Sequence, residues 1–110
     1  MAAPPGRESD GLAISPLNAR LSPEEREAAP ALFRALLAGQ LLYALGERKA
    51  AKILAAVRGA LEMEPRLRIE ALDLVDAETL LPVKKVTRAA LLEGAVYAGA
   101  TRLTDRVRFG

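Results

Sequence analysis

Thr101-Arg-Leu-Thr-Asp-Arg-Val-Arg-Phe109 alternates strictly in polarity. Leu103, Val107 and Phe109 share one parity, with Asp105 among them, and Arg102, Thr104, Arg106 and Arg108 share the other. A period of two marks a strand with one buried face. Such a strand needs a neighbour to pair its backbone groups. The run before it, Arg88-Ala-Ala-Leu-Leu-Glu-Gly-Ala-Val-Tyr-Ala98, is mostly apolar, and period alone does not separate a buried strand from a buried helix there. Gly94 inside the run favours a strand, and Ala98-Gly99-Ala100 can turn the chain. Residues 88–98 and 101–109 are therefore predicted to form a hairpin, and the hairpin decides the fold class.

Working outward, Leu67-Arg-Ile-Glu-Ala begins with alternation and Leu72-Asp-Leu-Val75 closes it, which predicts a third strand. Asp76-Ala-Glu-Thr-Leu80 reads as a turn or short helical turn that Asp76 can cap, followed by a short extended piece over residues 81–86. Upstream the pattern is helical. Ser22-Pro-Glu-Glu25 is a start signal: Ser22 as cap, Pro23 at the first helical position and Glu25 to complete a capping box, with Leu21 as a staple. Pro30 interrupts this helix, which is predicted to restart and run to about Leu45, with Phe33, Leu36, Leu37 and Leu41 as its apolar stripe and Gly46 as its stop. A further helix is predicted over 47–63, with Ala50, Ile53, Leu54, Val57, Ala60 and Leu61 on one face and Pro65 ending it. Helices first and an antiparallel sheet of about three strands after give an α+β fold.

The chain has 110 residues, enough for one domain with a modest core. Residues 1–11 are rich in Pro, Gly and small or polar types and read as a flexible lead-in or linker remnant, leaving 12–110 as the domain. Residues 12–21 read as an irregular loop with a short turn after Pro16. Sixteen basic and fourteen acidic side chains leave a net charge of +2, too small to argue for nucleic acid. Absence of cysteine removes disulfide and thiolate chemistry and fits a cytoplasmic protein; absence of histidine removes the commonest acid–base group and metal ligand. No apolar run reaches the roughly 20 residues a membrane-spanning helix needs, and the first residues carry no signal-peptide core.

Three stretches carry a family likeness. Arg7-Glu-Ser-Asp-Gly-Leu-Ala-Ile-Ser-Pro-Leu-Asn-Ala-Arg-Leu-Ser22 is similar to the R-E-x-D-G-L-A-M-S-S-R-N-x-Y-L-S segment that opens the C-terminal domain of pantothenate synthetases (pantoate–β-alanine ligases). Leu74-Val-Asp-Ala-Glu-Thr-Leu-Leu-Pro82 resembles that family's V-D-P-E-T-L-x-P, and Ala100-Thr-Arg-Leu-Thr-Asp105 its G-x-x-R-L-I-D-N. The likeness implies a lid-like C-terminal domain of a ligase related to the nucleotidylyl transferases. Such an enzyme adenylates pantoate with ATP and Mg²⁺, then lets β-alanine displace AMP. By the same likeness Gly6, Ile14, Ser15, Pro16 and Leu17 form the ATP-facing segment, supported by Asp10, Gly11 and Asn18. The implied partner is an N-terminal Rossmann-like domain, in the same chain or supplied separately.

The sequence departs from the family at the segment that should face the phosphates. Ile14-Ser15-Pro16-Leu17 stands where the family has Met-Ser-Ser-Arg, so a hydroxyl, an amide donor and a guanidinium are gone. Losing one preorganised contact to a transition-state phosphate costs on the order of 10²–10³ in rate. No catalytic residue is assigned, and the isolated chain is expected not to catalyse the reaction. Asp73, Asp76 and Glu78 are better read as capping and solvated acids than as metal ligands. Asp105 is expected to hold a structural hydrogen bond or ion pair, for example with a helix residue or Arg88. Arg102, Arg106 and Arg108 read as a solvated strand face, without the interleaved aromatics that stack on bases. The surplus of apolar residues over Leu32–Leu42, with Tyr43, suggests a surface for another domain or for self-association, and an interaction module on the same scaffold is the alternative function.

Overall fold

The computed structural model describes residues 6–110. Its elements are a 3-10 helix (Pro16–Arg20), α1 (Pro23–Ala28), α2 (Ala31–Ala44), α3 (Ala50–Glu62), β1 (Leu67–Asp76), β2 (Ala90–Ala98) and β3 (Thr101–Phe109). The strands form one antiparallel meander in the order β1-β2-β3. The α+β class and the hairpin are as predicted. Ala98 pairs with Thr101, so Gly99 and Ala100 make a two-residue turn. Gly99 supplies its positive φ of 60°.

Local chemistry places the helices. Ser22 Oγ accepts from the Glu25 amide at 3.2 Å, and the Glu25 carboxylate accepts from the Ser22 amide at 2.8 Å, closing the capping box that starts α1. Pro30 then divides α1 from α2. Past the end of α2, Gly46 adopts φ 108°, and the Glu47 amide reaches back to the Leu42 carbonyl at 2.9 Å. Helix α3 begins at Ala50, three residues later than predicted. Residues 48–50 are engaged elsewhere: the Val86 amide donates to the Arg48 carbonyl and the Ala50 amide to Lys84. That pairing also fixes the predicted extended piece, where Lys49 bridges Lys85 and Pro82 bridges Val75.

The helices cover one face of the sheet. The core is Leu, Ile, Val and Ala, with Phe109, Leu36, Ile53, Leu61 and Leu92 the largest fully enclosed side chains. Phe109 stacks on Tyr43 with ring centroids 4.6 Å apart, which ties the last strand to α2. The buried stripe of α2 is Ala31, Leu32, Ala35, Leu36 and Gly39; of the predicted Phe33, Leu36, Leu37 and Leu41, Leu36 alone belongs to it. Leu37 and Leu41 are exposed instead. The reason is a close approach at Gly39, where an added Cβ would lie 2.7 Å from Val57 Cγ2 and 2.8 Å from Leu92 Cδ2. The small residues of α2 face inward so that the helix can sit against α3 and β2.

Two acids on the strands, Asp76 at the end of β1 and Asp105 in the middle of β3, are buried and paired. Asp76 caps the turn after β1, accepting from the amides of Glu78 at 2.8 Å and Thr79 at 3.0 Å, and it pairs with Arg88. Its carboxyl is held at about 2, below the ordinary 3.8, by the Thr79 amide first, then Arg88 and the Glu78 amide. Asp105 is buried on β3, as its parity suggested, but its partner is Arg7 rather than a helix residue or Arg88. Among the described residues no helix is long and apolar enough to cross a membrane.

Candidate functional site

The segment 6–18 folds as a small hairpin that turns into the 3-10 helix. The Ile14 amide donates to the Gly6 carbonyl at 2.8 Å and the Glu8 amide to Leu12 at 2.8 Å, with Arg7 bridging Ala13. The Gly11 amide closes the turn on Glu8. Gly11 has φ 95°, and a Cβ there would lie 2.5 Å from the Phe33 ring, so this position demands glycine twice over. Leu12 sinks into the core. Of the expected lead-in, residues 1–5 lie outside the described residues. Residues 6–11 are not a free linker: they are hydrogen-bonded into the hairpin and held to the body of the fold by side chains. Composition alone could not reveal that docking, because Arg7 anchors on a residue of the last strand.

Asp10 serves the turn in two ways. Its Oδ1 accepts from the Leu12 amide at 3.3 Å, and the carboxylate takes both terminal nitrogens of Arg26, at 2.7 and 3.2 Å. The Arg26 hydrogen bond, followed by the Leu12 amide, holds the Asp10 carboxyl below its usual range. Both side chains are solvated, which keeps the pair weak.

Ser15 stands at the start of the 3-10 helix, and its Oγ accepts from the Leu17 amide at 3.2 Å. Pro16 has no amide hydrogen, and the Asn18 amide is spent on the Ser15 carbonyl at 3.1 Å. The Ser15 hydroxyl proton remains a donor this turn can offer, since a hydroxyl accepts and donates together. Asn18 Nδ2 donates to the Ala13 carbonyl at 3.0 Å and ties the two ends of the segment, while its buried Oδ1 has no partner among the described residues. Ile14 is 60% exposed and Leu17 36%. Gly6, which meets Ile14, and Pro16 are exposed as well.

The residues expected to face ATP or to support that loop thus all lie in this one segment. A cavity of about 260 Å³ runs between it, α2 and β3, with Ile14, Ser15, Leu17 and Asn18 on one wall and Leu103 and Thr104 on another. Nothing along the chain signalled the β3 wall, which is about 85 residues away from the turn. The acids at 73, 76 and 78 do not converge: Asp76 is a cap, and no group of three metal-ligating side chains occurs among the described residues. Arg102 on the outer strand face is paired with Glu70 at 2.9 Å.

Comparison with known proteins gives one answer. The family model described as pantoate-beta-alanine ligase matches residues 1–108. A pantothenate synthetase from Myxococcus xanthus is 47% identical over 109 residues, 97% of this chain and 37% of the relative. A bifunctional pantoate ligase/cytidylate kinase from Synechococcus sp. (strain JA-3-3Ab) is 46% identical over 104 residues, 94% of this chain and 19% of the relative. The crystal structure of pantothenate synthetase from Thermus thermophilus superposes with a TM-score of 0.90 at 39% identity, covering 97% of this chain and 38% of that one. This chain therefore spans well under half the length of the relatives it matches.

Proposed function

The chain belongs to the pantoate–β-alanine ligase family, and from that premise we propose that it is the ATP-facing lid portion of such a ligase. The reaction served is the ATP-dependent joining of pantoate to β-alanine through a pantoyl adenylate, in the cytoplasm. The observation that carries this reading is the presentation of Ile14–Leu17. These residues sit on an exposed turn above a cavity, on a hairpin hydrogen-bonded from Gly6 onward.

The chemistry available at that turn is narrow. Ser15 can donate its hydroxyl proton to a phosphate oxygen while its lone pair holds the Leu17 amide. Pro16 offers no amide, and Leu17 replaces a cation with an apolar surface. Such a turn orients a nucleotide but does little for the charge that develops on transfer. Among the described residues no acid cluster cages a divalent ion, so Mg²⁺ would be held chiefly by the nucleotide's phosphates. The chain alone is then a binding element, and the catalytic groups come from a Rossmann-like domain in the same protein or from a separate polypeptide.

Calorimetric titration of the purified chain with ATP, with and without Mg²⁺, tests this reading. Binding that weakens in Ser15→Ala supports it; no heat at millimolar ATP removes the loop's ligand role. A second reading, an interaction or self-association module, is favoured by one feature. Leu37 and Leu41 on α2 and Leu45 at its C-terminal cap form an exposed ridge at spacing four, 39%, 60% and 74% exposed. Sedimentation of the chain at several concentrations decides it: a concentration-dependent dimer that Leu41→Glu dissolves supports the module, and a strict monomer sinks self-association.

A further inference from the structure

We infer that the Arg7–Asp105 ion pair is the positioning device of the Ser15 turn, setting ATP affinity through the turn without touching the nucleotide. The inference rests on the reading of Ile14–Leu17 as ATP-facing. Its own evidence is a bidentate pair between the hairpin at one end of the chain and the strand at the other. Arg7 Nη1 lies 2.5 Å from Asp105 Oδ2, and Nη2 lies 2.9 Å from Oδ1. The Asp105 side chain is 2% exposed, and its Oδ1 also accepts from the Arg106 amide at 2.7 Å.

Arg7 does more than neutralise that acid. Nη1 donates to the Gly11 carbonyl at 3.1 Å and so grips the hairpin turn from inside. The guanidinium carbon sits 3.7 Å from the centre of the Phe33 ring, which ties the same group to α2. One planar fork thus joins the hairpin, the last strand and a helix. From Arg7 the constraint passes across the backbone bridge to Ala13, whose carbonyl accepts from Asn18 Nδ2. Ser15 lies between those two residues. The contacts run Asp105, Arg7, Ala13, Asn18, and the turn they bracket is the one that faces the cavity.

A buried pair of this kind is poor evidence of stability, since desolvation offsets much of its attraction, but it restricts geometry because only one arrangement satisfies both oxygens. A lysine keeps the charge and loses the fork. The exposed Asp10–Arg26 pair grips the same turn from outside and serves as the internal contrast.

The experiment compares the 110-residue chain with Asp105→Asn, Arg7→Lys and, as control, Arg26→Gln. Two readings are taken: amide exchange at Glu8, Ile14 and Asn18 against Val57 and Leu61 of α3, and ATP dissociation constants by calorimetry. Loss of charge-assisted hydrogen bonds should speed exchange at the three loop amides by about tenfold or more in Asp105→Asn and less in Arg7→Lys. The α3 amides should stay as they were, ATP should bind about tenfold more weakly in Asp105→Asn, and Arg26→Gln should change neither reading. Unchanged loop exchange overturns the inference, and so does faster exchange spread equally through α3, which would make the pair a mere fold contact. A loosened loop with undiminished ATP affinity also overturns it. Absence of ATP binding by the parent chain instead sinks the ATP-facing reading and the affinity effect that rests on it. The exchange data then still decide whether the pair orders the turn.

Discussion

Gly39 and Gly59 both lie inside helices, yet Gly→Ala should move stability in opposite directions at the two sites. Gly59 is exposed on α3, and nothing lies within 4 Å of where a Cβ would be. Ala there removes the conformational cost of a helical glycine and should stabilise by about 0.5–1 kcal/mol. Gly39 gains the same propensity term. Its Cβ, however, would stand 2.7 Å from Val57 Cγ2, 2.8 Å from Leu92 Cδ2 and 3.3 Å from Ile53 Cγ2. All three belong to fully enclosed side chains on two different elements, so neither the strand nor α3 can yield alone. Overpacking of this kind costs about 1–3 kcal/mol. Subtracting the propensity gain leaves a net loss of about 1 kcal/mol, or about 4 °C in melting temperature for a domain of this size. Urea titration at one temperature, followed by far-UV circular dichroism, reads both variants against the parent. Should Gly39→Ala match the gain of Gly59→Ala, the α2–α3–β2 contact is not tight and the account of which α2 face is buried collapses.

Other perturbations have equally definite outcomes. Phe109→Ala removes a fully enclosed ring stacked on Tyr43 and should cost about 3–5 kcal/mol in a urea titration, a large part of the stability of so short a chain. Ser22→Ala opens the capping box and should cost about 1 kcal/mol; a loss below a few tenths would mean that α1 owes its start to packing alone. The Asp76 carboxyl is held at about 2, so its folded value lies below the unfolded one of 3.8. Its contribution is complete above about pH 4 and is lost as pH falls through about 2. The urea midpoints of the parent and Asp76→Asn should therefore differ at about pH 6 and converge between about pH 4 and 2, and a gap that stays constant with pH would contradict the assignment.

How much of this could be read along the chain depended on the distance over which each feature is determined. The start of α1 needs four consecutive residues, and its capping box formed as written. The β2–β3 hairpin was readable because the alternation of 101–109 demanded a partner that the ambiguous run before it could supply. The buried face of α2 was not readable. Residues 35–45 contain no charge, so no polar face marks which side is outside. A rule that seeks large residues picked Leu37 and Leu41, while the packing selected Gly39 and the alanines. The start of α3 was displaced by backbone pairing with residues 84–86, about 35 positions on, which helix propensity cannot anticipate. Motif likeness marked the residues of the candidate segment, and the parity of Asp105 marked it as a buried acid. Its partner Arg7 carried no local signal, because the two are 98 positions apart.

That separation has a consequence for how the protein comes into being. The Ser15 turn leaves the ribosome long before Asp105, on which its inner anchor closes. At about 5–20 residues per second, synthesis of the intervening chain takes on the order of 5–20 s. During that time the turn has no β3 wall beneath it and Arg7 has no carboxylate of that strand to hold. A nascent chain stalled before Asp105 would carry every residue of the Ser15 segment and its local hydrogen bonds but not the carboxylate on which Arg7 closes, so the docking of the segment is completed only once β3 has emerged.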